Sequence, residues 1–181
     1  MQNEIVTALK PHDVAVVLHL CRHAPPRPSY AQIASELSMS PSEVHAAVKR
    51  AQASRLLHGS ELGERPNYGA IEEFLIHGLK YAFPVERGEL TRGVPTSYAA
   101  EPLRQLIALG DEPLPVWPYP AGSQRGIAFE PLYKQAPKAA LRDPVLYELL
   151  ALADALRDGR ARERKLAEKL IVGRLRPAVH A

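Results

Sequence analysis

The sequence lacks the features that mark several classes of protein. Cys21 is the only cysteine, so an intrachain disulfide is excluded, and its apolar helical neighbours predict a buried, reduced thiol. No apolar run approaches the ~18 residues that a membrane span needs, and the N-terminal residues do not follow a signal-peptide pattern. We therefore expect a cytoplasmic protein without a membrane partner.

Catalytic and cofactor-binding motifs are also absent. The sequence contains no H-E-x-x-H, G-x-S-x-G or C-x-x-C motif, and neither of the glycine-rich patterns G-x-x-x-x-G-K-[ST] and G-x-G-x-x-G. One pair of histidines, His19 and His23, has metal-ligand spacing, but no third ligand has a matching spacing, so we interpret both as part of a solvated helix face. We predict that the protein is not an enzyme and has neither a cofactor nor a metal site.

Positive charge is concentrated towards both ends of the chain. The formal net charge is +3, with basic residues in excess over residues 1–58 and 144–181 and acidic residues in slight excess between them. This distribution suits a nucleic-acid-binding protein, although neither end of the chain is a polybasic tail.

Two short helices joined by a tight turn are predicted over residues 29–57. Ser29 with Gln32, and Ser40 with Glu43, form two capping boxes, in which the side chains satisfy free backbone N–H groups at helix starts. The second helix extends from Ser40 to Ala53. The two caps lie eleven residues apart, so the connecting turn is short.

The two faces of the second helix differ in character. The face predicted to be buried consists of Val44, Ala47, Val48 and Ala51. The opposite face carries Ser42, His45, Ala46, Lys49 and Ala53, with Arg50 and Gln52 on its flanks. Small residues, hydrogen-bonding groups and cations on one face are what a helix needs in order to enter a DNA major groove.

The segment that follows these helices leads to a family resemblance. Residues 55–59 form a short apolar strand candidate, and residues 60–67 form a polar loop with glycine and proline. This order of elements over about residues 10–70 resembles the winged helix-turn-helix DNA-binding regulators of the MarR type. Residues 1–10 are too short for the long dimerising helix that such proteins have at that end.

The resemblance implies a sequence-specific transcription regulator that binds double-stranded DNA, with Ser40–Ala53 as the recognition helix. We expect a homodimer, because one recognition helix reads only a few base pairs. Base contacts are expected from Ser42, His45, Ala46 and Lys49. Phosphate contacts are expected from Arg27, Ser40, Arg50, Arg55 and Arg65 of the wing.

The rest of the chain is predicted to be helical at both ends and irregular in the middle. An amphipathic helix over residues 68–83 completes a DNA-binding domain of residues 1–83. In the proline-rich middle, residues 114–120 and 126–133 are strand candidates, whereas residues 86–103 are interpreted as a surface loop.

Two further helices are predicted from Asp143 onwards, the first of them rich in leucine. The expected fold is therefore mainly α. It comprises a winged helix-turn-helix domain, followed over residues 84–181 by an α-rich subdomain with a small β element and a C-terminal helical hairpin.

Two other functions remain open at this point. The leucine-rich helix has more apolar surface than a solvated helix needs, so Leu149 and Leu156 pack on the body, on a second subunit or on another protein. Packing on another protein would suit an antitoxin-like or adaptor protein that binds a partner through residues 84–181. The other alternative is a small-molecule-sensing repressor with a pocket near Trp117.

Overall fold

A computed structural model describes residues 8–60 and 63–177 of the chain. In these residues the fold is mainly helical, with two small β elements. None of the helices in this part of the chain is both long and apolar enough to cross a membrane.

Three helices form the first layer of the structure. They are α1 (Pro11–Cys21), α2 (Tyr30–Leu37) and α3 (Pro41–Ala53), and the predicted bounds of α3 are confirmed. Every residue of α1 from Asp13 to Cys21 is buried, because α2, α3 and a later helix (α7, below) all pack against it. Cys21 is buried as predicted, and burial raises the pKa of its thiol to about 12.

A short hairpin and a long helix follow α3. Strands β1 (Leu57–His58) and β2 (Arg65–Pro66) are antiparallel and have two residues each. The predicted amphipathic helix is confirmed as α4 (Tyr68–Glu73) and α5 (Leu79–Ala82), joined by a π-helical turn from Phe74 to Gly78.

The middle of the chain contains a small three-stranded barrel. Its strands are β3 (Arg87–Pro95), β4 (Pro115–Pro118) and β5 (Gln124–Phe129). Strand β3 pairs antiparallel with both others, and β4 pairs parallel with β5. Both predicted strands are therefore confirmed, although β4 is shorter than predicted and β5 begins and ends earlier than predicted. The prediction of a surface loop over residues 86–103 is wrong, because β3 occupies half of this segment.

Two glycines allow the three strands to close into so small a barrel. A Cβ atom at Gly93 would lie 2.0 Å from the carbonyl oxygen of Trp117, and one at Gly126 would lie 2.1 Å from that of Leu114. Any other residue would clash with the neighbouring backbone at these positions.

Three helices complete the chain, namely α6 (Ala136–Arg142), α7 (Pro144–Asp158) and α8 (Ala161–Leu175). Helices α7 and α8 pack on each other, as the predicted C-terminal hairpin requires. Leu149 and Leu156 are 0% and 1% exposed within the single chain. Of the three surfaces left open for these leucines, the body of the protein is the one they pack on.

One continuous apolar core connects the two ends of the chain. It contains residues of α1, α2 and α3 together with residues of the barrel, α6, α7 and α8. Helix α7 contributes to this shared core because it contacts both α1 and α5.

The barrel is attached to α7 through the buried carboxylate of Asp154. One oxygen accepts hydrogen bonds from Thr96 Oγ1 and Trp117 Nε1, both at 2.7 Å. The other oxygen accepts one from Arg157 Nη1 at 2.8 Å. A buried charge is tolerated when it is paired and fully hydrogen-bonded, and Asp154 meets both conditions.

We expect Asp154→Ala to lower the free energy of unfolding by about 3–5 kcal/mol, because Arg157 would stay buried without its counter-ion. The control is Asp158→Ala on the same helix, whose pairing with Arg87 is partly exposed and is worth less than about 1 kcal/mol. Chemical denaturation measures both. Equal effects for the two variants would contradict the role given to Asp154.

Candidate nucleic-acid interface

Each of the helices α2 and α3 begins at a capping box. Ser29 Oγ accepts a hydrogen bond from the Gln32 backbone N–H at 3.2 Å, and Ser40 Oγ accepts one from that of Glu43 at the same distance. Both predicted boxes are therefore confirmed. Ser38 between them adopts a left-handed conformation with φ of 56°, which reverses the chain within a few residues.

The burial of α3 separates its two faces. Val44, Ala47, Val48 and Ala51 are fully buried against α1 and α2. The outward-facing stripe consists of Ser42, His45, Lys49 and Ala53, which are exposed, with Ala46 and Gln52 half-buried beside them. The 3.6-residue period of the helix is sufficient to explain this division.

His45 is held on this outward stripe by Tyr30 of α2. The two rings pack edge to face, with centroids 5.7 Å apart. The Tyr30 hydroxyl also donates a hydrogen bond to Glu64 in the hairpin. Tyr30 therefore connects α2, α3 and the hairpin on the side that faces solvent.

Arg50 does not belong to the exposed surface, so the prediction that it contacts phosphate is wrong. Its Nε and Nη2 atoms each donate to the Asp13 carboxylate of α1 at 2.7 Å. Arg50 is 9% exposed and Asp13 is 0% exposed. The hydrogen bonds to Asp13 raise the pKa of Arg50. Contact with a phosphate would break this buried pair.

Arg27 and Ser40 are also committed to contacts within the chain. Arg27 Nη1 donates to the backbone oxygens of Leu20, at 2.6 Å, and His23, at the end of α1 where the regular helical hydrogen bonds stop. Ser40 Oγ donates its single proton to the Glu43 carboxylate at 2.7 Å. The pKa of Glu43 is lowered chiefly by the backbone N–H of Ser40. Both side chains therefore have partners within the chain, and their contacts with phosphate stay a prediction.

Arg55 and Arg65 remain accessible at the edge of the same surface. Arg55 is exposed just after α3, and Arg65 is exposed on β2, directly opposite His58 of β1. The hairpin turn is closed by a hydrogen bond from Ser60 Oγ to the Gly63 oxygen. Residues 61–62 lie outside the described residues.

Sequence reasoning missed the residues that support α2 from the second half of the chain. Arg142 at the end of α6 donates to the backbone oxygens of Ser35 and Glu36, at 3.1 and 3.3 Å, and to Ser38 Oγ at 2.7 Å. Arg142 therefore holds the last turn of α2 and the start of the α2–α3 turn. No local sequence pattern indicates such a contact, because the partners are more than 100 residues apart.

The expectation of a solvated face for His19 and His23 is also wrong. His19 is 0% exposed, and its Nε2 lies 2.7 Å from a carboxylate oxygen of Glu36 on α2. His23 lies beside them, with its ring centroid 4.8 Å from that of His19. The packing of α2 against α1 thus adds Glu36 as a third possible metal ligand, which no spacing in the sequence indicated.

Comparison with known proteins finds no matching family model, no matching curated protein and no matching solved structure. Function is therefore inferred from the chemistry of the surface itself.

The two neighbouring cations of α3 should behave differently when removed. We expect Arg50→Ala to lower the free energy of unfolding by about 3–5 kcal/mol, because the Asp13 carboxylate would be left buried and unpaired. Lys49→Ala should change it by no more than about 0.5 kcal/mol, as is usual for exposed positions. Urea unfolding measures both. A mild effect at Arg50 would show that the buried pair does not hold α3.

Proposed function

We propose that the protein is a sequence-specific regulator that binds double-stranded DNA through α3. The observation that carries this proposal is the outward stripe of Ser42, His45 and Lys49, with Ala46 set back between them. An α-helix is about 10–12 Å across with its side chains, and a major groove is about 12 Å wide. Small residues on the stripe allow the backbone to approach the base edges.

The chemistry of the stripe suits direct reading of bases. A serine hydroxyl and an imidazole both donate and accept hydrogen bonds, so Ser42 and His45 are suited to several base edges. Lys49 donates only, and guanine with its two major-groove acceptors is its natural partner. The contact between Tyr30 and His45 restricts the imidazole, which reduces the entropy lost on binding.

The proposed phosphate contacts are now fewer than those expected from the sequence. Arg55 and Arg65 flank α3 and keep this role, because both are exposed. The hairpin β1–β2 is the proposed wing, and its position after α3 supports the winged-helix interpretation. The MarR-type resemblance itself stays a prediction.

The proposed functional form is a homodimer on a two-fold symmetric site. One helix reads about three or four base pairs, and a dimer places two such helices about 34–36 Å apart on successive turns of the duplex. Partner binding through residues 84–181 also stays a prediction. The leucines that motivated it are buried in the chain's own core.

Binding selection from random duplex DNA tests the proposal, and the selected site then serves as the probe. We expect Lys49→Ala to weaken binding to that site and to reduce the slope of log affinity against log salt by about 1 if Lys49 also neutralises a phosphate. His45→Gln should change the base preference at one position. Fluorescence anisotropy at several salt concentrations measures these effects.

Lys165→Ala is the matched control, because Lys165 is an exposed lysine on α8, away from α3. It removes the same charge and should leave the affinity and salt slope unchanged. If Lys49→Ala and Lys165→Ala behave alike, or if selection enriches no sequence, α3 is not a recognition helix.

A second candidate function, a ligand-responsive regulator, is supported by a cleft of about 480 Å³ between the barrel and α7. Leu141 and Pro144 line this cleft. They directly flank Arg142, which contacts α2, and Asp143, which pairs with Arg22 just after α1. A molecule in the cleft would therefore lie next to the contacts that hold the proposed DNA-binding helices. Trp117, near which a pocket was expected, is 1% exposed and does not line the cleft.

A small-molecule screen with two readouts tests this second candidate. A ligand of the cleft should raise the thermal unfolding midpoint and change the affinity for the selected DNA. Both effects should be lost in Arg104→Ala, because Arg104 lines the cleft. They should persist in Arg125→Ala, which removes an exposed arginine of β5 outside it. A ligand that acts equally on both variants does not bind in this cleft.

A further inference from the structure

Three possible metal ligands converge where the end of α1 meets α2. One ligand atom from each of His19, His23 and Glu36 lies within 4.8 Å of the others, and the shortest separation is the 2.7 Å between His19 Nε2 and Glu36 Oε2. With metal–ligand bonds of about 2.0–2.1 Å, two ligands of a tetrahedral ion are about 3.3 Å apart. The separations between the three ligand atoms, from 2.7 Å to at most 4.8 Å, lie on both sides of that value. Small side-chain rotations therefore suffice to bring all three atoms into one coordination shell.

His19 is the member whose surroundings need an explanation. It is fully buried, yet neither of its ring nitrogens makes a hydrogen bond within the described residues. Its 2.7 Å contact with Glu36 is close but lacks hydrogen-bond geometry. Buried polar side chains are nearly always hydrogen-bonded. Burial of His19 therefore costs free energy unless another group binds to its ring nitrogens.

The lack of hydrogen-bond partners at His19 suits a metal ligand. A neutral imidazole presents one nitrogen lone pair, and a metal ion binds to that lone pair. No hydrogen bond within the described residues occupies either ring nitrogen of His19.

The surrounding charges are compatible with a cation. Arg22 is the nearest positive group, and both of its terminal nitrogens pair with Asp143, with one contact at 2.8 Å. Its Nε donates to His23 Nε2 over 3.3 Å, and a metal ion bound through that nitrogen would replace this long hydrogen bond. Glu36 supplies the negative charge of the site, and its side chain is 45% exposed, which leaves a route from solvent.

We propose that His19, His23 and Glu36 bind one divalent transition-metal ion of the Zn²⁺ class. Two imidazoles and one carboxylate are typical ligands for zinc and its neighbours, whereas Mg²⁺ and Ca²⁺ require oxygen ligands. Three protein ligands leave a fourth position for water on the exposed side of Glu36. The ion would fasten α2 to the end of α1, immediately before the α2–α3 turn.

This inference goes beyond DNA binding, and its test does not need DNA. The full chain is stripped of metal with a chelator and then titrated with Co²⁺, whose visible absorption reports coordination. Zn²⁺ binding is measured in parallel by calorimetry. We expect saturation at one ion per chain, displacement of Co²⁺ by Zn²⁺, and a higher thermal unfolding midpoint with Zn²⁺, since the folded state binds the ion.

Variants at the two more accessible ligands locate the ion. His23→Ala and Glu36→Gln should each weaken Co²⁺ binding at least about tenfold, because each removes a ligand. His58→Ala and His77→Ala are the controls, since both histidines are exposed and lie away from the cluster. These controls should bind as the parent does. Circular dichroism verifies that every variant is folded.

Either of two results would overturn the proposal. The first is a folded parent protein that gives no saturable Co²⁺ spectrum. The second is unchanged affinity in both His23→Ala and Glu36→Gln, which would assign the ion to other residues. Failure of DNA binding would affect neither result, so the two proposals are tested independently.

Discussion

The buried pair of Asp13 and Arg50 fixes the rotation of α3, and the character of the exposed surface depends on that rotation. Turning α3 by one residue, about 100°, would move Arg50 away and leave the Asp13 carboxylate unpaired in the core. A buried pair of this kind adds little net stability, but breaking it costs several kcal/mol. The pair therefore penalises other rotations of the helix. Because the pair fixes the orientation of α3, it also keeps Ser42, His45 and Lys49 on the exposed side of the helix.

Local sequence signals were sufficient for every helix except α6, which lies in the middle segment that was expected to be irregular. Capping boxes, prolines at helix starts and 3.6-residue periodicity act within a few residues, and they predicted α3, α4–α5 and α7 from the printed letters alone. Strand β3 was missed because its partners lie more than 20 residues further along the chain. Its two glycines also resemble those of a loop. One of them, Gly93, is needed in the barrel because a Cβ atom there would clash with the backbone of Trp117 on β4, and no single segment reveals this approach.

The candidate interface was predicted only in part, because contacts between distant segments leave no local pattern in the sequence. Periodicity identifies the side of α3 that faces outward, but it does not show which polar residue finds a buried partner. Arg50 was placed on the flank of the exposed face, and Asp13, 37 residues earlier, brought it inside. His19 and His23 have the same spacing whether their face meets water or α2. A long arginine side chain such as that of Arg27 reaches backbone carbonyls of its own chain at the end of a helix.

The continuous core has a consequence for how such a chain can change over evolutionary time. Helix α1 is buried on all sides, and part of its cover is α7, from the opposite end of the sequence. Cutting the chain after α5 would expose the apolar side of α1 and remove the contact of Arg142 with α2. The α1–α3 segment is therefore not a transferable module. Its surface residues can vary one at a time, whereas its exchange as a block would also require a matching C-terminal half.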